Sequence, residues 1–238
     1  AAPAAAQEAR TRIGLGAQFT PDYPGADSTS IRPMFDFNRA DPGQPMPFVS
    51  ADESFGPALI RTEGFAFGPS LAWQGKRSRS DTANLLPKVG STIEVGGFAQ
   101  AMLGPNFRLR GEVRKGLGGH KGVVSNLSAD FVARDGDNWL FAIGPRVRLV
   151  NGRYNRAYFG VDPVNATVLT PAYRPDGGVN AIGGAANAVF SLTPQWGLLG
   201  YVRYDRLNGD ARKSPVVGAF GDRSSWSGGA AVTFTFGG

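Results

Sequence analysis

Apolar and polar residues alternate with period two along most of the chain, which is the pattern of half-buried β-strands. In FRLRGEVRKGLG, residues Phe107, Leu109, Gly111, Val113, Lys115 and Leu117 share one face, and Arg108, Arg110, Glu112 and Arg114 share the other. The alternation returns with Val123, Ser125, Leu127, Ala129 and Phe131 opposite Asn126, Ser128, Asp130 and Arg134. It returns again in WLFAIGPRVRLV, where Trp139, Phe141, Ile143, Val147 and Leu149 oppose Arg146 and Arg148. Further strands are expected over Val89 to Leu103, Trp196 to Leu207 and Trp226 to Phe236. At roughly 10 to 15 residues each, these strands are long for a globular domain and suit a tilted passage through a membrane.

Short turns at 104–106, 135–138 and 193–195 are interleaved with long polar loops at about 75–87, 151–177 and 208–224. Short turns at one end and long loops at the other are the layout of an outer-membrane barrel, the turns lying in the periplasm and the loops outside. Counting backward from the last strand places strands at Gly64 to Gln74 and Ser54 to Arg61. Arg12 to Phe19 and Ile31 to Asn38 also read as strands, and a short one near Pro45 to Ser50 is needed for parity. The expected fold is all-β: one closed antiparallel transmembrane barrel over residues 11–238, behind a periplasmic tail at 1–10. Twelve strands are expected, with ten as the alternative. A soluble sandwich would share the alternation, but aromatic residues recur at strand ends, as Phe107, Trp139, Trp196, Trp226, Phe234 and Phe236 do, and this favours a membrane barrel.

Composition agrees with β-structure. The chain has 34 Gly, 17 Pro and 16 Phe against 3 Met, and it is only 18% charged, which is poor material for helices. The charge-free stretch Gly177 to Val202 is interrupted by Asn180, Asn187, Pro194, Gln195 and several glycines, so it does not read as a spanning helix. Zero cysteines excludes disulfides, thiolate metal sites and cysteine nucleophiles. The opening AAPAAAQEA resembles the small-residue remnant of a signal-peptidase cut, so the chain is read as mature after signal-peptide removal.

A net charge of +6 admits nucleic acid, anionic lipid and lipopolysaccharide phosphate as partners. Single-strand binders put stacking aromatics and basic residues on one surface, whereas here they lie on opposite faces, so a nucleic-acid role is set aside. In a barrel, Arg108, Arg110, Arg114, Arg146, Arg148 and Arg203 point into the lumen, where Glu94, Glu112, Asp130 and Asp205 can pair with them. One arginine facing lipid near the midplane would cost about 2 to 4 kcal/mol, and this fixes which face looks inward. With His120 at the tip of its connector, hairpin arithmetic sets Arg110 beside Asp130.

His120, the single histidine, sits in GLGGHKG. A general base or a phosphate contact is conceivable there, but the Walker pattern fails because Gly122 follows Lys121. GLGAQF fails the dinucleotide pattern at Phe19, and no G-x-S-x-G is present. A structural loop role is the simpler reading. Asp205 and Asp210 could hold calcium; alternatively, Arg206, Asp210 and Ser214 hydrogen-bond within their loop and pin its turn. No catalytic residue, cofactor or metal site is assigned.

Five segments in order carry a family resemblance: PDYPGAD with Pro21, Tyr23, Pro24 and Gly25; GGHKG with Gly118, Gly119, His120 and Gly122; YFGV with Tyr158, Phe159 and Gly160; AYRPDGG at 172–178; and RLNGDARKSPVV with Arg206, Asp210, Ser214 and Pro215. Spread from Ile13 to Phe236, they make the chain resemble the MipA/OmpV family, named for an MltA-interacting protein. The resemblance implies an integral barrel of the Gram-negative outer membrane, in contact with its lipid and lipopolysaccharide and without catalytic activity. In some members it implies a scaffold tethering a lytic transglycosylase to a penicillin-binding protein; porin-like and adhesin roles, including a narrow anion-favouring pore, are the alternatives. One departure is the end of the chain, where TFTF is followed by Gly237 and Gly238, although outer-membrane strands commonly finish on an aromatic residue.

Overall fold

The computed structural model describes residues 8–62 and 64–237; most of the expected N-terminal tail, residues 1–7, lies outside them, as does Gly238. Among the described residues, eleven antiparallel strands form one curled sheet. They are β1 (Arg10–Pro21), β2 (Thr29–Ala40), β3 (Ile60–Thr62), β4 (Phe65–Gln74), β5 (Thr92–Leu103), β6 (Phe107–Gly118), β7 (Val123–Asp135), β8 (Trp139–Val150), β9 (Gly178–Ser191), β10 (Trp196–Leu207) and β11 (Ser224–Phe236). Each strand pairs with its sequence neighbour, except that β2 and β3 do not pair, and β1 returns to pair with β11 through Thr11 opposite Phe236 and Phe19 opposite Gly228. The turns at 104–106, 136–138 and 192–195 lie at one end of the sheet, the turn end, and the longer connections lie at the other, the loop end.

The period-two pattern sorts the faces. Leu15, Ile31, Phe35, Phe67, Leu109, Val113, Ile143 and Val232 stand exposed on the convex side, while Arg108, Arg110, Glu112, Arg114 and Arg146 are buried on the concave side. An exterior of bare Leu, Ile, Phe and Val over the length of the strands is unsuited to water and matched to hydrocarbon. Aromatic pairs mark both rims: Trp139, Phe141 and Phe190, then Trp196 and Phe234, near the turn end, and Tyr204 with Trp226 near the loop end.

Two expectations about the wall are overturned. No strand forms near Pro45 to Ser50, and the strand expected over Ser54 to Arg61 shrinks to Ile60–Thr62, preceded by one isolated bridge from Phe55 to Leu71. Among the described residues the ladder is therefore not closed, because β2 and β3 are its two edges. Both run toward the turn end, so direct closure would need a parallel pair. The chain that should climb between them as a twelfth strand, residues 41–54, instead rises through the interior. Pro42, Pro45 and Pro47 lack the N–H that a ladder requires, so this stretch is a poor wall strand. The seam is nevertheless bridged at the loop end, where the Arg32 guanidinium lies 4.5 Å over the Trp73 ring. The strand expected from Val89 begins at Thr92, since Val89 pairs with Arg77 in a separate bridge.

Candidate functional site

The sheet brings most of the anticipated lumen charges together inside, in a different register from the one expected. Arg108 stands opposite Asp130, and Arg110 stands opposite Ser128. The offset is two residues because the pairs, from Phe107 with Phe131 to Lys115 with Val123, are centred on Gly119 rather than on His120. Arg108 bonds Asp130 at 2.7 Å, Arg146 reaches Asp130 at 2.9 Å, and Arg203 holds Asp205 at 2.7 Å. Arg114 links Glu94 at 2.9 Å to Glu112 at 2.7 Å, and Arg110 lies 3.5 Å from Glu112. Arg148 is half-buried on the same side and makes no ion pair among the described residues.

Into this network climbs the segment that failed to become a strand. Asp52 accepts from Arg146 at 2.8 and 3.1 Å, a two-pronged pairing of guanidinium with carboxylate, and from Arg203 at 3.1 Å. Glu53 accepts from Arg108 at 2.5 Å, and Ser54 bonds Glu112 and Ser70. Asn187 bonds both Ala51 and Ser50 at 2.9 and 2.8 Å. Lower down, the Phe48 ring lies 4.6 Å beneath the Arg108 guanidinium, and Met46 donates its N–H to Asp137 at 2.9 Å. Buried charges are tolerable only where partners satisfy them, and here wall and segment satisfy each other.

Sequence reasoning assigned no role to Ser50, Asp52, Glu53 or Phe48: Phe48 and Ser50 were placed in a wall strand, and Asp52 and Glu53 were left between two strands. A usable signal was present, since three prolines immediately precede an acidic pair in a chain whose charged strand faces are rich in arginine.

The loop end is closed by different chemistry. The connection at 151–177, expected to be a polar loop, opens with helix α1 (Gly152–Phe159), whose start is capped by Asn151 accepting the Tyr154 N–H at 3.2 Å. Tyr154, Tyr158 and Phe159 are each at most 1% exposed and pack with Tyr23, Val89, Val124, Val150, Leu207 and Val217 into one apolar cluster.

The segments that carry the family resemblance converge on this cap. Pro21 ends β1, and Tyr23 and Pro24 are buried behind it. Gly25 holds a positive φ of 83° and leaves room for Phe159, which would lie 3.1 Å from a Cβ there. Phe159 is followed by Gly160, whose N–H closes α1 onto the Arg156 carbonyl at 3.2 Å. Two short helices, α2 (Gly209–Lys213) and α3 (Pro215–Phe220), follow β10. The Ser214 hydroxyl, between them, donates to the Phe159 carbonyl at 2.7 Å, with Pro215 opening α3. Asp210 accepts the Asp176 N–H at 3.0 Å. Asp210 and Ser214 thus fasten one loop to another, Ser214 also pins its own loop as expected by accepting the Val216 N–H at 3.1 Å, and Arg206 is exposed and takes no part. Asp205 pairs with Arg203 inside, away from Asp210, and no metal-holding cluster of acids forms among the described residues.

His120 sits beneath the cap at 2% exposure. Its Nδ1 accepts the Gly122 N–H at 3.0 Å, which leaves the proton on Nε2 to be donated to Glu94 at 3.1 Å. The ring meets Tyr154 edge-on, with centroids 4.8 Å apart. Both nitrogens are occupied, as a structural histidine requires. Gly116 makes this possible, because a Cβ there would lie 2.3 Å from the imidazole. Gly118 adopts a φ of 111° at the end of β6, and Gly119 follows it into the connector. Burial pushes the Tyr154 and Tyr158 hydroxyls up and holds the Arg77 guanidinium, which donates to the Tyr158 carbonyl at 2.5 Å, below its ordinary value.

At the turn end a recess remains between the base of the inner segment and the rim. Arg10, Arg12, Phe48, Trp139, Gln195 and Trp196 line it. Its charges are internally paired, Arg10 with Asp137 at 2.6 Å and Arg12 with Asp36 at 2.7 Å.

No curated protein matches the chain significantly. Among solved structures, an outer-membrane channel from Pseudomonas putida F1 is similar at 9% identity and a TM-score of 0.48, over 99% of this chain and 100% of that one. The outer-membrane protein OprG from Pseudomonas aeruginosa is similar at 8% identity and a TM-score of 0.25, over 98% of each chain. The sequence profile of the family described as MltA-interacting protein MipA matches residues 13–236. That match spans every strand but the first residues of β1. Together with a wall apolar outside and charged within, it makes the chain an outer-membrane β-barrel that belongs to the MipA family.

Proposed function

We propose that this barrel is a non-enzymatic scaffold that holds protein partners at its periplasmic mouth. The observation that carries the reading is the contrast between its ends. The middle is filled by residues 41–54 and the loop end by the α1 cluster, whereas the turn end keeps a recess bordered by Trp139, Gln195 and Trp196. A filled interior favours holding over conducting. His120, the one histidine, commits both ring nitrogens to structural bonds, which supports a role without catalysis. The partners we infer are peptidoglycan enzymes, a lytic transglycosylase and a penicillin-binding protein, as the family resemblance implies, and the family's description as an MltA-interacting protein supports a protein partner.

The test is site-specific photo-crosslinking in intact envelopes, with the crosslinker at Gln195 on the turn end or at fully exposed Val168 on the loop end. Crosslinks to a peptidoglycan enzyme from Gln195 and none from Val168 are expected. Recovery of no such enzyme from Gln195 would overturn the scaffold.

A further inference from the structure

The interior arginines are not balanced by the wall that bears them. Strands β6, β8 and β10 contribute Arg108, Arg110, Arg114, Arg146, Arg148 and Arg203, against Glu94, Glu112, Asp130 and Asp205. Two adjacent carboxylates of the climbing segment supply what is missing. Arg146 and Arg203 hold Asp52 at 2.8 and 3.1 Å, and Arg108 and Arg110 hold Glu53 at 2.5 and 3.5 Å.

This occupant is held inside without joining the ladder. Among the described residues, no backbone-to-backbone hydrogen bond joins residues 41–54 to a strand, so side chains do the holding. The fit is loosest where Glu53 Oε2 and Arg110 Nε, both buried, face each other at 3.5 Å as an ion pair without a hydrogen bond. Below them Phe48 and Val49 border the turn-end recess, so displacement of the segment would open the arginines to the periplasm.

We propose that the arginine wall is a binding site for small dicarboxylate anions, occupied in this structure by the chain's own Asp52 and Glu53. A dicarboxylate entering from the turn end competes with that pair and displaces the segment. The site needs no protein partner, so it stands or falls apart from the scaffold reading. A tethered competitor acts at an effective concentration on the order of millimolar, so the wild-type protein binds such anions weakly. Neutralising the competitor exposes the affinity of the wall.

The test is calorimetric titration of the detergent-folded barrel with N-acetyl-Asp-Glu-amide and with succinate, folding being checked by heat-modifiable gel mobility. The Asp52→Asn/Glu53→Gln variant should bind at least tenfold more tightly than wild type. N-acetyl-Asn-Gln-amide should bind neither protein, and adding Arg146→Gln should abolish the gain. A folded double variant that binds no better than wild type, or that binds the uncharged peptide equally, would overturn the site. If the double variant does not fold, a Val49→Cys variant decides, since the chain has 0 other cysteines. Saturating succinate should raise its maleimide labelling rate severalfold; an unchanged rate overturns the proposal.

Discussion

Between the middle of the barrel and its loop end, the filling changes from ion pairs to aromatic packing within one strand length. In the middle, Arg108, Arg146 and Arg203 meet Asp130, Asp52 and Asp205, with inserted backbone as the spacer. At the loop end, Tyr154, Tyr158 and Phe159 close over Val124 and Val150 with few charges among them. The ion-paired region is specified by partner count and breaks when one member is removed. The packed region is specified by volume and weakens in proportion to what is cut away. His120 is the joint between them, bonded to Glu94 below and edge-on to Tyr154 above.

The largest effect is expected in the middle. Arg146→Met leaves Asp52 and Asp130 short of a partner and should cost about 3 to 5 kcal/mol, the usual result of breaking a buried pair from one side. Urea midpoints of the detergent-folded barrel would measure it, and adding Asp52→Asn should restore part of the loss. If the single substitution is silent, the ion-paired account of the middle fails.

Next comes the cap. Phe159→Ala empties a fully buried ring site and should cost about 3 kcal/mol, at the low end for such truncations because a loop can settle into the space. Limited proteolysis should then cut within 151–177 while the strands survive. Equal protection of the loop in variant and wild type would count against aromatic closure.

A smaller effect is expected at the joint. Gly116→Ala drives a methyl group against His120 and should cost about 1 to 3 kcal/mol, as overpacking does. Near-ultraviolet circular dichroism of the neighbouring tyrosines should change with it.

The smallest effect is a pH dependence confined to the cap. Burial first, and then the charge of Asp81, push the Tyr23 hydroxyl up to about 12 from 10.0. A raised value favours the protonated phenol in the folded state, so its contribution is complete below pH 10 and is lost as pH rises toward about 12. Protease sensitivity of the loops should rise across that window in wild type and stay flatter in Tyr23→Phe. The Tyr23 hydroxyl makes one long contact, 3.5 Å to the Phe220 carbonyl, so little else is lost in that variant.

Much of the wall was legible in the sequence, because facing lipid outside and charge inside imposes a period of two on every strand. From Thr92 to Phe236 the expected strands and short turns fall within a few residues of those observed. The failures have one physical origin. Period two shows where a residue points, and it says nothing about whether a stretch pairs in the wall or leaves it. Residues 45–50 were needed as a strand by parity, but Pro45 and Pro47 lack the N–H that a ladder requires, and Asp52 and Glu53 just beyond them pair inside with Arg146 and Arg108. In the same way, the register of β6 on β7 is centred on Gly119, and a centre one residue away from His120 shifts every cross-strand partner by two. Loop polarity also misled at 151–177, where Tyr154 and Tyr158 turn inward once a helix forms.

What the sequence by itself determined was local and periodic: all-β structure, the inward face of arginines, the turn and loop ends, and the family. Only the tertiary structure decided how the interior is filled and where the ladder stays open. Those outcomes depend on which distant carboxylates reach which guanidinium groups, and on where proline makes a wall strand less favourable than a path through the middle. The sheet had to curl before Asp52 could meet Arg146, 94 residues away along the chain.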